Sequence, residues 1–133
     1  MNAMLDCFDS ALERVYLGRQ SQADREQAVF DAELAEVQKE IRALFVEAWA
    51  GAVVKFPRYS SIENKIVRKT TLADIVVEAL CEGEVLTPVM EAAKPGADAV
   101  HCIGTFREAV TDKYVADYAA DIAEFRLGRM DEQ

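Results

Sequence analysis

Histidine is almost absent from this sequence. It occurs once, as His101, and the three cysteines, Cys7, Cys81 and Cys102, are widely separated with no CxxC pair among them. Such a set cannot close a zinc shell with the usual ligand spacing. An odd number of scattered thiols suits a reducing compartment, which points to the cytoplasm. The six glycines never form GxxxxGK or GxGxxG, and no serine lies in GxSxG, so these phosphate loops and the hydrolase nucleophile elbow are excluded. Long apolar runs are missing too. The most apolar stretch, ALFVEAWAGAVV, is about a dozen residues long and contains Glu47, whereas a membrane-spanning helix needs about 20. The start, MNAMLDCF, lacks the basic and then apolar pattern of a secretory signal.

What is present describes a globular chain. Of its 133 residues, 51% are apolar and 29% charged, a balance that supports one folded domain across 1–133 and argues against disorder. The net charge of −9 repels phosphate backbones and so argues against general nucleic-acid binding.

Hydrophobic periodicity predicts helices. Leu5, Phe8, Leu12, Val15 and Tyr16 recur at steps of three and four, with Gly18 as a stop and Ser21 as the cap of a second helix. That second helix carries the stripe Phe30, Leu34, Val37, Ile41, Phe45 and Ala48 and runs to about Gly51. At 1.5 Å per residue it would be about 40 Å long, enough to reach a second subunit. Ser60 with Glu63, Thr71 with Asp74 and Thr105 with Glu108 each read as a capping box opening a helix. Thr87 before Pro88 opens a brief one that KPG at 94–96 stops. The last helix places Phe106, Val110, Tyr114, Tyr118, Ile122 and Phe125 on one face. Residues 97–104 read equally as a strand or an irregular lead-in. The expectation is an all-α, single-domain bundle of five to six helices around one long helix, with room for a two-stranded element near 52–56 and 99–103.

Catalytic signals are weak. His101 adjoins Cys102, but neighbouring side chains point apart, and the plain reading is a half-buried imidazole with small apolar thiols. Glu33, Glu36, Glu40 and Glu47 fall within about 60° of arc on the long helix, and Asp117, Asp121 and Glu124 cluster on the last. The ELAE and DIAE tetrapeptides would set Glu33 and Glu36 opposite Asp121 and Glu124. This resembles the acidic ExxE and ExxD pairs by which the all-α nucleoside-triphosphate pyrophosphohydrolases hold magnesium, although the second pair reverses the residue order. The resemblance implies a magnesium-dependent nucleotide or phosphate-ester hydrolase, with Lys65, Arg68 and Lys69 gripping phosphate. Acidic pairs three apart are common on solvated helices, and that remains the preferred reading, with no cofactor. A further alternative is an acidic inhibitor that competes with nucleic acid for the machinery handling it.

The strongest anomaly is one of charge. KFPRYSSIENKIVRK, residues 55–69, has five basic residues and one acidic, for +4, while the other 118 residues have ten basic and twenty-three acidic, for −13. Lys55, Phe56, Arg58 and Tyr59 lie on a connector stiffened by Pro57. A short helix would then set Ile62, Ile66 and Lys69 on one face and Lys65 and Arg68 toward another. Aromatic and arginine residues are enriched in interface cores. These seven, Lys55, Phe56, Arg58, Tyr59, Lys65, Arg68 and Lys69, are therefore the expected partner contacts. The expected function is a non-enzymatic protein-interaction module, a small adaptor or inhibitor. Its partner would be a protein with an acidic surface, and homodimerisation is expected through the long helix.

Overall fold

The computed structural model of the chain describes residues 3–129, and side chains at position 14 and from 18 to 129. Among these residues the elements are α1 (Ala3–Trp49), β1 (Phe56–Ser60), β2 (Lys65–Thr70), α2 (Leu72–Glu82), α3 (Leu86–Ala92) and α4 (Ala99–Arg126). The mainly helical expectation holds, with four helices rather than five or six. The chain divides into two compact units, 1–32 and 33–133. In the first, the described side chains from Gly18 to Val29 are exposed, and Gln27 donates to Asp31 at 2.9 Å.

Gly18 and Ser21 do not interrupt α1. A helix-ending glycine takes a positive φ, as Gly51 does at 102°, and Gly18 is not among the residues with such a φ. A single interior glycine costs only about 1 kcal/mol, which the helix-forming residues around it can carry.

In the second unit, residues 33–49 of α1 pack antiparallel to α4. Glu33 and Glu40 meet Arg126 (3.5 and 2.5 Å), and Arg42 meets Asp112 (2.9 Å) nearer the other end. Between these ion pairs lie Val37, Ile41 and Phe45, each 1% exposed, and Ala48. They are the lower part of the stripe read from the sequence. α4 answers with Val110, Tyr114, Ala119, Ile122 and Ala123, all buried. Phe106, Tyr118 and Phe125 are half-buried at its margins.

The two-stranded element exists, but it is a hairpin. β1 and β2 pair antiparallel, with Arg58 opposite Val67, Tyr59 opposite Ile66 and Ser60 opposite Lys65. The helix expected after Ser60 does not form, and neither 52–55 nor 99–103 is a strand. Ser60 Oγ does accept the Glu63 amide at 3.2 Å, as a capping box requires, yet here that bond closes a turn. Asn64 completes the turn at φ 50°, a left-handed conformation that asparagine tolerates, and its side chain accepts from the Tyr59 hydroxyl at 2.8 Å. A two-stranded hairpin is marginal alone; this one is held at its base by Phe56, which is fully buried. Pro57 contributes a carbonyl that accepts from the Tyr114 hydroxyl.

The box at Thr71 and Asp74 forms with both its bonds, and α2 ends at Gly83 in the left-handed conformation (φ 78°). α3 begins at Leu86, one residue before Thr87, and has no side-chain cap. The ambiguous stretch 97–104 is mostly helix: Asp98 caps α4 by accepting the Val100 amide at 3.0 Å. Thr105 consequently lies inside α4, its hydroxyl bonded to the His101 carbonyl at 2.9 Å.

The buried Tyr114 hydroxyl provides a test of the hairpin anchor. Tyr114→Phe should lower unfolding free energy by about 1–3 kcal/mol, because it strands a buried acceptor. A urea melt with an unchanged midpoint would show that the Pro57 carbonyl has another partner.

Candidate functional site

Packing sorts the basic stretch into covered and exposed residues. Inside, Phe56 packs on Phe45 with ring centroids 4.5 Å apart and on Tyr114 at 5.7 Å. At 0% exposure, it has no surface for a partner, which corrects its place among the expected contacts. Tyr59 rests against Phe125, with centroids 5.6 Å apart. Arg58 turns inward: its guanidinium lies 4.1 Å from the Tyr118 ring centroid and donates to Glu78 at 2.8 Å. Lys55, Lys65, Arg68 and Lys69 are exposed, with Lys69 3.7 Å from Glu63.

The turn between the strands, residues 61–64, is exposed throughout, and Ile62 at its tip is 97% exposed. The exposed part of the hairpin region therefore comprises four cations and an apolar tip. Sequence reasoning put Ile62 on the burying face of a helix. The signal that pointed to a turn was Asn64 just ahead of the β-branched pair Ile66 and Val67.

The network beneath the hairpin was not foreseen. Glu78 on α2 accepts from Arg58 and from the Tyr118 hydroxyl. The Tyr118 hydrogen bond, with the Arg58 charge added, holds the Glu78 carboxyl below its ordinary range despite partial burial. Burial, with the Glu78 bond, raises the Tyr118 phenol. Burial likewise pushes Tyr114 up to about 12.

A second feature lies between α3 and α4. Val85, Pro88 and Ala109 line a groove of about 450 Å³ whose rim carries Glu84, Glu108, Asp112 and Asp117. Lys113, only 12% exposed, bonds Glu82 and reaches Asp117 at 2.9 Å and Glu84 at 3.7 Å. Among the described residues, the carboxylates close enough to share a cation are Glu78, Glu82 and Asp117. The expected set of Glu33, Glu36, Asp121 and Glu124 is not drawn together: Glu33 meets Arg126, while Glu36 and Asp121 are exposed. In the cluster that does form, the Lys113 ammonium already supplies positive charge.

His101 and Cys81 are exposed, and the Cys102 thiol is directed at the Ala92 carbonyl, 3.7 Å away. Cys7 lies outside the described side chains. No described helix is long and apolar enough to cross a membrane. No family model matches the chain, and no curated protein or solved structure is significantly similar to it.

Proposed function

We propose that this chain is a non-enzymatic protein-interaction module, an adaptor or inhibitor that engages an acidic protein surface through the exposed part of its hairpin. The observation that carries this reading is the exposed Ile62 tip with Lys65 beside it and the exposed Arg68 and Lys69 further along β2, mounted on a base fixed by Phe56 and the Pro57–Tyr114 bond. A preorganised base reduces the ordering cost of binding. Flanking cations give the encounter its speed and sign, and the apolar tip gives area to bury. The tryptophan-poor, lysine-rich face would make a contact of moderate strength, typical of a regulatory encounter.

The magnesium-hydrolase alternative finds less support, since the nearest carboxylate cluster already has Lys113 as its counter-charge. Nucleic-acid competition rests on composition alone.

A labelled amphipathic peptide of glutamate and leucine serves as a probe. It should perturb amide resonances in residues 55–70, and Lys65→Glu with Arg68→Glu should abolish the effect at low salt. Equal perturbation in that variant, or preference for short single-stranded DNA over the peptide, would overturn the proposal.

A further inference from the structure

We infer that the acidic partner of the hairpin is a second copy of this chain, and that the receiving surface is the groove between α3 and α4. The inference rests on the reading of the hairpin as a contact surface and adds its occupant.

The two surfaces are complementary in polarity and in charge. The hairpin offers one exposed apolar side chain, Ile62, with Lys65 opposite Ser60 at the same end, Lys69 reaching Glu63 in the turn, and Lys55 and Arg68 at the base. The groove has an apolar floor at Val85, Pro88 and Ala109 and a rim of four carboxylates, of which Asp112 is paired with Arg42 and Asp117 with Lys113, while Glu108 and the 78% exposed Glu84 carry the charge open to a partner. An apolar knob entering an apolar floor excludes water, while the rim charges face opposite signs, the arrangement that fixes register in protein interfaces.

The fold also separates the two surfaces within one molecule. Pro57 bonds to Tyr114 and Tyr59 packs on Phe125, so β1 runs toward the C-terminal end of α4 and carries the tip that way. The groove lies along α4 from Thr105 to Asp117. Phe125 and Asp117, the end of the groove nearer to it, are eight residues apart, about 12 Å along the helix. The hairpin is thus held away from its own groove and can enter only another molecule's. Because the two surfaces differ, the contact is heterologous; it closes into a small ring or pair, or propagates, according to the rotation it imposes.

Charge reversal in two variants tests this. Sedimentation equilibrium at low salt should show self-association of the wild type. Lys65→Glu with Arg68→Glu, and separately Glu84→Lys with Glu108→Lys, should each weaken it by about tenfold or more. Mixing the two variants should restore association, since a reversed hairpin then meets a reversed groove. Ile62→Asp should weaken it on the same scale without altering the circular dichroism spectrum. A wild type that stays monomeric, or a mixture that fails to associate, overturns the inference. Neither result touches the hairpin reading itself, which stands or falls with the peptide titration.

Discussion

Phe45→Ala should cost about 3–5 kcal/mol of unfolding free energy, the range for removing a buried aromatic ring. Phe45 is 1% exposed and joins three elements: its ring is 4.5 Å from Phe56 on β1, 5.7 Å from Tyr114 on α4 and 6.3 Å from Trp49 on its own helix. Losing it leaves a cavity between helix, hairpin and helix, where no single neighbour can move in without abandoning another contact. Domains of this size are stable by about 5–15 kcal/mol, so the variant should sit close to its unfolding midpoint at modest temperature. Phe45→Leu, which keeps most of the volume, should cost less, about 1.5 kcal/mol or below. Urea unfolding with an unchanged slope is the measurement. A loss under about 1 kcal/mol for Phe45→Ala would mean that the ring does not occupy the centre of the core.

Arg58→Glu and Arg68→Glu should behave in opposite ways although both reverse one charge on one hairpin. Arg68 is exposed, and its reversal should change stability by no more than about 0.5 kcal/mol. Arg58 has a side chain 31% exposed, bonded to Glu78 and stacked on Tyr118. Its reversal sets two carboxylates against each other and removes a charge-assisted hydrogen bond, for a loss of about 2–3 kcal/mol once solvent screening is allowed for. The pair separates fold from recognition: a binding defect in Arg68→Glu concerns the partner surface, and one in Arg58→Glu follows from the fold. Equal melting curves for the two would remove Arg58 from the structural network.

Glu78 gives the same network a pH signature. Its carboxyl lies below the ordinary value of 4.5, chiefly through the Tyr118 hydrogen bond. A depressed folded-state pKa contributes stability that is present above the unfolded value and is lost as pH falls through the folded one. Wild type should therefore lose this contribution on acidification below that ordinary value. Glu78→Gln should be the less stable protein at neutral pH, and the gap should narrow in acid. A gap that stays constant with pH would show that the Glu78 charge plays no part.

Where the sequence was readable, a short-range rule acted alone. The Thr71–Asp74 box and the stop at Gly83 depend on bonds across three or four residues, and both form as read. The stripe Val37, Ile41, Phe45 and Ala48 is buried because one helical face at those spacings admits no other arrangement. Ser60 with Glu63 shows where such rules run out. The side-chain bond expected there is made, but a helix and a hairpin turn both use it. Its meaning was settled by Phe56 entering a core built from α1 and α4, residues distant in sequence. Thr105 with Glu108 failed for a related reason: Asp98 had already started the helix seven residues earlier.

Composition and periodicity by themselves determined a mainly helical, acidic chain with one concentrated patch of positive charge, because charge and the 3.6-residue period are written residue by residue. They could not divide that patch. Strand pairing and the packing against α4 turned Phe56 and Arg58 inward and left Ile62, Lys65, Arg68 and Lys69 outside. Only the tertiary structure could decide this, since the side of a strand that faces the core is fixed by what it packs against.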